Sequence, residues 1–344
     1  MIESEFIDEQ RIISPGADEN FQQFENTLRP KNFSEYIGQS AVKQNLKIAI
    51  EAAKKRSDTL DHILLHGAPG LGKTTLAGII AAEMGVSIKV TSGPALEKQG
   101  DVASIISNLS ENDILFIDEI HRLKPIVEEV LYTAMEDFGI DIVIGKGPSA
   151  RNMRISLPKF TLIGATTKVS LLSSPLRDRF GNVFKLQFYS KEEIAEIILR
   201  SAAILGCKID GSLASVLAKS SRQTPRIANR LLKRLRDFAD VKNKSVIDAG
   251  ILDRSLSALG IDELGLDHTD REIITTIIDK FRGGPVGLNT IAAAISEEQS
   301  TIEDIYEPFL IQLGFLERTS RGRIVTERAY AHLGIPAKDF NALI

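Results

Sequence analysis

The chain has 344 residues, of which 43% are hydrophobic and 26% charged, and its formal net charge at pH 7 is -4. This composition is typical of a soluble globular protein with two or three domains. No apolar run approaches the ~20 residues that span a bilayer, and the acidic N-terminus lacks the pattern of an export signal. Cys207 is the only cysteine, which excludes an internal disulfide and a cysteine-based zinc site. We expect a cytoplasmic protein that does not contact a membrane.

Residues 1–27 are polar and aperiodic and predict a flexible leader. Beyond them, apolar runs with strand character alternate with segments of helical spacing as far as residue 189. The strand-like runs are 62–67, 87–90, 114–118 and 161–167, and the helical segments are 73–84, 101–109 and 125–138. The alternation predicts a large α/β domain at residues 28–189, built on a parallel sheet.

One segment interrupts this alternation. Residues 139–158 have alternating apolar residues on both sides of a Gly-Lys-Gly-Pro turn, which predicts an inserted β-hairpin. The hairpin either adds an edge to the sheet or forms a docking surface. Exposed apolar hairpins more often mark a docking surface.

Two smaller domains are expected after residue 189. Residues 190–260 predict a small all-α domain with a surplus of about five positive charges, counting Lys and Arg against Asp and Glu. Residues 261–344 carry a surplus of about six negative charges. They contain helical patterns at 269–281, 288–295 and 301–313, followed by two short strands around Ser320-Arg321-Gly322. Three helices and a hairpin indicate a winged-helix domain.

Residues 67–74 read GAPGLGKT and match the G-x-x-x-x-G-K-[ST] phosphate loop, between a predicted strand and a predicted helix. Gly70 and Gly72 let backbone N–H groups surround the phosphates, to which Lys73 adds a positive charge. We expect the Thr74 hydroxyl to be a ligand for Mg²⁺. The loop therefore predicts ATP and Mg²⁺ as cofactors.

An acidic pair, Asp118 and Glu119, stands at the end of the third strand-like run, 114–118. Asp118 is placed as the acid associated with Mg²⁺, and Glu119 as the general base that polarises the attacking water. Such pairs are common at strand ends. After a phosphate loop, however, the pair indicates ATP hydrolysis.

With these motifs the chain resembles the AAA+ ATPases, whose P-loop core carries further nucleotide sensors. The resemblance implies a residue that senses the γ-phosphate at the end of TLIGATTK, where Thr167 matches best and Thr166 is the alternative. It also implies a second sensing arginine in the helical lid, Arg226 in TPRIANR. The alternative for Arg226 is a solvated arginine at a helix start.

The stretch SPLRDRFG contains two arginines that the phosphate loop does not explain. In AAA+ rings, an arginine finger at this place reaches the active site of the neighbouring subunit. The resemblance assigns the finger to Arg179 and makes Arg177 its supporting companion. The alternative is that both arginines pair locally with Asp178 or other surface acids.

Longer segments, in chain order, resemble the RuvB family of AAA+ motors. They are RPKNFSEYIGQ, LDHILLHGAPGLGKTTLA, TSGPALEK, LFIDEIHRL, SPLRDRFG, TPRIANRLLKR, DKFRGGPVGLNTIAAAISEE and IEDIYEPFLIQLGFLERTSRGR. The resemblance implies a homo-hexameric ring on duplex DNA at four-way junctions, turned by ATP hydrolysis during homologous recombination and DNA repair. It further implies that RuvA binds the hairpin at 139–158 and that RuvC joins the resolving complex.

The same resemblance implies additional contacts to nucleotide and DNA. The implied nucleotide contacts outside the motifs above are Leu28, Arg29, Thr75, Glu136, Asp137, Phe138 and Tyr189. DNA contact is implied for Arg318 and Arg323, with Arg321 beside them on the wing, where Arg alternates with small polar residues that suit phosphate contact. The alternative is ordinary surface charge. Gln299 departs from the family, which commonly has an arginine there. A contact of this side chain with the DNA backbone would therefore involve an uncharged group.

The main alternative function is an AAA+ loader or switch that places another protein on DNA. It would use every nucleotide-site residue named above. A protein unfoldase is not favoured, because SGPALEKQGDVAS has no aromatic residue for a pore loop. A non-catalytic ATP-binding module is not favoured either, because Lys73, Asp118, Glu119 and Arg179 are all present.

Overall fold

A computed structural model of the chain describes residues 25–144 and 151–336. The chain divides into two compact units, Arg29–Tyr189 and a second unit that combines Met1–Leu28 with Ser190–Ile344. Most of the predicted leader, the tip of the predicted hairpin and the last eight residues lie outside the described ranges. Within those ranges, no helix is long and apolar enough to cross a membrane.

A five-stranded sheet forms the centre of the first unit. Its strands are β1 (Ile63–His66), β2 (Ile88–Ser92), β3 (Ile114–Asp118), β6 (Thr161–Thr166) and β7 (Asn182–Lys185). They lie in the order β2-β3-β6-β1-β7, and every pairing between neighbours is parallel. The three inner strands are almost fully buried, as continuous apolar runs predict. The α/β core predicted from the alternation is therefore confirmed.

Strand β7 was not predicted, and its short sequence explains why. It contributes four residues at the edge of the sheet, alternately half-buried and exposed. Such a run is too short and too polar to stand out as a strand. The helices of this unit are α1 (Ser40–Arg56), α2 (Lys73–Met84), α3 (Gln99–Ser107), α4 (Pro125–Asp137) and α5 (Ser174–Asp178).

The inserted hairpin consists of β4 (Gly139–Ile144) and β5 (Arg151–Ser156). The two strands pair antiparallel from Gly139↔Ser156 to Ile144↔Arg151 and form their own two-stranded sheet. The alternative of an added edge on the central sheet is therefore wrong. An aromatic cluster packs at the root of the hairpin, where the Phe160 ring lies 5.7 Å from His62 and 6.0 Å from Phe138.

The second unit begins with four helices, as the predicted all-α lid requires. They are α6 (Lys191–Ile204), α7 (Gly211–Lys219), α8 (Pro225–Val241) and α9 (Ala249–Ala258). Two short strands, β8 (Lys208–Ile209) and β9 (Val246–Ile247), pair in parallel between them and were not predicted. Two-residue strands carry no periodicity that a sequence pattern could reveal.

The remainder of this unit has the predicted winged-helix order. Its elements are α10 (His268–Phe281), α11 (Leu288–Ile295), α12 (Gln299–Thr301), a π-helical segment (Ile302–Tyr306), α13 (Glu307–Gln312), β10 (Leu316–Thr319), β11 (Gly322–Val325) and α14 (Glu327–Leu333). β10 and β11 pair antiparallel and form the wing. The third predicted helix is therefore interrupted by the π-helical segment, and the closing helix α14 was not predicted.

A buried arginine joins the lid helices to the winged-helix part within this unit. Arg222 lies just before α8, its side chain is 4% exposed, and it forms ion pairs with Asp270 and Asp267 at the start of α10. Its guanidinium also lies over the Phe309 ring, 4.6 Å from the centroid, and Arg222 Nε donates to the Gly265 carbonyl. Burial raises the pKa of Asp270, and Arg222 opposes that shift.

We predict that Arg222→Ala destabilises this unit. The substitution leaves the Asp270 carboxylate buried without its charge partner, a change that costs about 3 kcal/mol or more when a buried pair is broken. The urea midpoint of its unfolding transition should fall. Arg234→Ala, which removes a half-exposed arginine from α8, should change stability by less than about 0.5 kcal/mol. Equal midpoints for the two variants would contradict the assigned role of Arg222.

Candidate nucleotide-binding and catalytic site

The phosphate loop connects the end of β1 to the start of α2. Gly67, Gly70 and Gly72 have φ values of 144°, 78° and 93°, a region that favours glycine. A Cβ at Gly67 would lie 2.7 Å from the Leu186 carbonyl oxygen, so a side chain is also excluded by space. The loop thus presents its backbone at the N-terminus of a twelve-residue helix, where N–H groups and the helix dipole attract anions.

Lys73 lies inside this loop. Its side chain is largely buried, and Nζ donates to the carbonyls of Gly67 and Ala68 at 2.8 and 2.9 Å. The ammonium group is therefore held at the centre of the loop, where phosphate oxygens would be bound. Thr75 follows on the first turn of α2.

Two oxygen ligands suitable for Mg²⁺ meet beside the loop. Thr74 Oγ1 lies 3.4 Å from Asp118 Oδ2, which places a hydroxyl and a carboxylate from two elements together. Mg²⁺ prefers oxygen ligands and binds through one or two protein groups together with phosphates and water.

Glu119 follows Asp118 directly and adopts a left-handed backbone conformation with φ 48°. Its carboxylate is half-exposed and accepts a hydrogen bond from Arg122 Nη1 at 3.1 Å. Gly93 packs against its backbone so closely that a Cβ would lie 2.4 Å from the Glu119 carbonyl oxygen. The position of the predicted general base therefore depends on a glycine that sequence analysis did not single out.

Thr166 and Thr167 differ in what their side chains contact. The Thr166 side chain is buried, and its Oγ1 lies 2.9 Å from His121 Nδ1 and accepts the Lys168 N–H. Thr167 is exposed just beyond the end of β6. Its hydroxyl is thus the more accessible of the two to a ligand at this edge of the sheet.

The two arginines of SPLRDRFG have different surroundings. Arg177 is half-exposed and lies 3.9 Å from Asp178, as the local-pairing alternative describes. Arg179 pairs with another surface acid, which the same alternative also allows: Nη2 donates to Glu136 at 2.5 Å, and Nη1 donates to the Pro175 carbonyl at 3.0 Å.

Other predicted nucleotide contacts in the first unit also have local partners. Asp137 pairs with Arg154 of the hairpin at 3.0 Å, and Phe138 belongs to the aromatic cluster at the hairpin root. Tyr189 is buried, and its hydroxyl oxygen lies 3.2 Å from Tyr36 Oη and 3.3 Å from the Leu71 carbonyl oxygen, to which it donates. Arg29 begins the unit and is half-buried.

Tyr36 is a residue that sequence reasoning missed. Its hydroxyl would lie 3.1 Å from a Cβ placed on Gly72, so it packs directly behind the phosphate loop. Burial and the neighbouring Tyr189 raise the pKa of Tyr36, which keeps the phenol neutral. The signal that could have indicated it is its place in RPKNFSEYIGQ, one of the segments that resemble the RuvB family.

In the second unit, the predicted contacts also have defined partners. Arg226 Nε lies 3.2 Å from Glu25 Oε1, and the Leu28 carbonyl accepts a hydrogen bond from Arg200 at 2.8 Å. Burial, followed by the charge of Arg226, lowers the pKa of Arg230 on the same helix.

The three wing arginines differ in exposure. Arg318 is 60% exposed and lies 3.9 Å from Glu303, and Arg321 is exposed at the turn between the strands. The Arg323 side chain is only 12% exposed and donates two hydrogen bonds, of 3.0 and 3.2 Å, to the buried Glu307. The resemblance implies that Arg323 contacts DNA, whereas β11 turns its side chain onto α13, where it pairs with Glu307. Gln299 is exposed at the start of α12.

We predict that Gly93→Ala slows ATP hydrolysis by about tenfold or more, because the added methyl group displaces the backbone of Glu119. Nucleotide affinity, measured by fluorescence of a labelled ATP analogue, should change less than the hydrolysis rate. The matched control is Gly100→Ala in α3, where a Cβ meets nothing within 4 Å. Normal hydrolysis in Gly93→Ala would mean that the Glu119 backbone position is not important for the reaction.

Comparisons with known proteins cover the three parts of the chain. The model of the Holliday junction DNA helicase RuvB P-loop domain matches residues 28–186, the RuvB AAA lid domain matches 189–262, and the RuvB C-terminal winged helix domain matches 263–334. The structure of the Thermotoga maritima RuvB Holliday junction branch migration motor is 52% identical, with a TM-score of 0.83, and the match covers 91% of this chain and 100% of that one. Two mutants of Thermotoga maritima RuvB are also 52% identical, with TM-scores of 0.84 over 90% of this chain and 99% of theirs. These matches, in the order of the domains described above, show that the chain belongs to the RuvB family of AAA+ Holliday junction DNA helicases.

Proposed function

We propose that this chain is an ATP-driven motor that moves the branch point of four-way DNA junctions. The observation that carries the proposal is the convergence of the phosphate loop, the Thr74–Asp118 pair and Glu119 at one edge of the sheet, in a chain 52% identical to a branch-migration motor. A AAA+ core with this set of groups is an ATPase.

The phosphate loop binds and orients the nucleotide. Backbone N–H groups around Gly70 and Gly72 surround the phosphates, and Lys73 exchanges the loop carbonyls for phosphate oxygens. Thr74 and Asp118 are the residues that would hold Mg²⁺, which neutralises the charge that develops on the phosphates. Tyr36 and Tyr189 support the loop from behind.

Glu119 then orients and polarises the water that attacks the γ-phosphate. To do so, its carboxylate must exchange the Arg122 hydrogen bond for the water. Thr167, exposed beyond β6, serves as the γ-phosphate sensor, while Thr166 fixes the strand end through His121.

The active site is completed by a neighbouring subunit in a ring, which we take to be a homo-hexamer. Arg179 is the finger that stabilises the transferring phosphoryl group in the adjacent site. We propose nucleotide contact also for the residues that the family resemblance assigns, namely Leu28, Arg29, Thr75, Glu136, Asp137, Phe138, Tyr189 and Arg226.

The hairpin is proposed as the docking site for RuvA, and RuvC is proposed to join the complex on the same DNA. Support comes from the separation of the hairpin from the central sheet and from Met153, an apolar residue that is 46% exposed on β5. An exposed apolar side chain on a projecting hairpin suits a protein partner.

The wing is proposed to contact the DNA backbone through Arg318 and Arg321, which are exposed. Arg323 stabilises the wing rather than contacting DNA phosphates, because its guanidinium pairs with Glu307. Contacts of exposed arginines with phosphates are independent of base sequence, as a motor that moves along arbitrary DNA requires.

The first test measures ATP-dependent dissociation of a synthetic four-way junction, with and without the matching RuvA. The natural chain should dissociate the junction, and Arg179→Ala should lower the rate by about 10³-fold, the usual contribution of an arginine finger. Asp178→Asn, which changes the exposed residue between the two arginines, is the matched control and should remain active. If ATP is hydrolysed while the junction stays intact with RuvA present, the loader function is favoured instead.

A second test examines the wing. Arg318→Ala combined with Arg321→Ala should weaken duplex binding similarly for all sequences and reduce the slope of log affinity against log salt by up to about 2. Arg328→Ala, an exposed arginine on α14, is the control and should leave the slope unchanged. An unaltered slope in the double variant would remove the wing from the DNA site.

A further inference from the structure

One face of α4 lies against the proposed arginine finger. Glu128, Tyr132 and Glu136 follow each other at intervals of four residues, so their side chains share a single face of the helix. The guanidinium of Arg179 lies over the Tyr132 ring, with Cζ 5.2 Å from the ring centroid, and pairs with Glu136. The helix thus holds the arginine by two different kinds of contact.

The Tyr132 ring is itself fixed by its hydroxyl. Oη lies 3.0 Å from Glu128 Oε2 and 2.8 Å from Ser173 Oγ. Because a carboxylate oxygen only accepts hydrogen bonds, Tyr132 donates to Glu128, and the Ser173 hydroxyl then donates to Tyr132. Glu128 is buried, which keeps this arrangement away from competing water.

The same Ser173 is the N-cap of α5, the helix whose C-cap is Arg179. Its Oγ accepts the Leu176 N–H at 3.4 Å, and the Pro175 carbonyl of the same helix accepts from Arg179 Nη1. Tyr132 therefore holds both ends of the element that carries the finger: its hydroxyl binds the cap, and its ring supports the guanidinium.

The two contacts of the guanidinium differ in what the finger must give up when it acts. The Glu136 pair uses an N–H donor and has to be exchanged for a phosphate oxygen. A contact with the face of the ring leaves the in-plane N–H donors free, so it persists while the guanidinium binds an anion. Tyr132 can therefore position the finger during the reaction as well as before it.

We propose that Tyr132 is a positioning residue for the arginine finger, acting through Arg179 in the active site of the neighbouring subunit. This inference rests on the proposed function, since it requires Arg179 to work in the adjacent site. An arginine without this support is mobile before the reaction, so the entropic cost of ordering its side chain is added when it binds the phosphate. Small misplacements of a catalytic group also have large effects on rate.

The experiment compares steady-state ATP hydrolysis by the full-length chain and its Tyr132→Leu variant, with junction DNA and RuvA present. Removal of the ring and hydroxyl should lower kcat about tenfold, which corresponds to about 1.4 kcal/mol, while KM for ATP stays within about threefold. Tyr132→Phe keeps the ring and should lie between Tyr132→Leu and the natural chain. Glu129→Gln, on an exposed position of the same helix, should match the natural chain.

Mixed rings test whether the effect acts on the neighbour. Glu119→Gln subunits keep the finger but lack the proposed general base, so we expect them to hydrolyse ATP poorly. Mixing them with Tyr132→Leu subunits therefore supplies the variant sites with properly held fingers. Hydrolysis per Tyr132→Leu subunit should then rise severalfold. Arg179→Ala mixed with Glu119→Gln calibrates the size of the recovery.

The outcomes separate the inference from the function on which it rests. Recovery of hydrolysis in both mixtures supports the role of Tyr132 and the action of Arg179 in the neighbouring site. Recovery for Arg179→Ala but not for Tyr132→Leu would overturn the role of Tyr132 and leave the finger assignment in place. An unchanged kcat in Tyr132→Leu rings would also overturn the role of Tyr132. If neither mixture recovers, Arg179 does not act in trans, and both statements fail. Should Tyr132→Leu not fold, Tyr132→Phe takes its place in the mixture, and the same readings apply.

Discussion

Parallel pairing of the three inner strands is the constraint on which the rest of the site depends. β1 pairs with β6, and β6 pairs with β3, so that all three strands end at the same edge of the sheet. Because every strand runs in the same direction, the phosphate loop after β1, the acidic pair at the end of β3 and the threonines at the end of β6 are brought together although they are far apart in the chain. The almost complete burial of these strands holds the edge rigid, which an active site requires.

Three groups proposed to act on the nucleotide are each held by a partner of opposite charge in their own unit. Glu119 is bound by Arg122, Arg179 by Glu136, and Arg226 by Glu25. These pairs are largely or partly exposed, so each contributes little to stability and is exchanged at low cost. The buried pairs have a different role. Arg222 with Asp270, and Arg323 with Glu307, are removed from water and fix how helices and wing pack in the second unit.

Sequence reasoning succeeded where the local structure around a residue depends on its immediate neighbours in the chain. The glycines and lysine of the phosphate loop, the acid at the end of β3 and the helices of the winged part were predicted because periodicity and turn chemistry are local. It failed for Tyr36, Gly93 and Tyr132, whose importance comes from residues that pack on them from elsewhere. Arg323 shows the same limit. Its alternation with small polar residues suggested a solvent-facing arginine, yet the pleat of β11 directs it onto a buried glutamate.

The sequence by itself determined the order of the domains, the parallel core, the inserted hairpin and the chemical type of the nucleotide site. Each of these follows from short segments whose hydrophobic spacing or glycine content permits few conformations. Only the tertiary structure decided which charged groups are held in pairs, which threonine is buried against His121 and which helix face lies against Arg179. The physical reason is that these properties depend on distances between segments far apart in the chain, and such distances are set by the packing of the whole unit rather than by any one stretch of sequence.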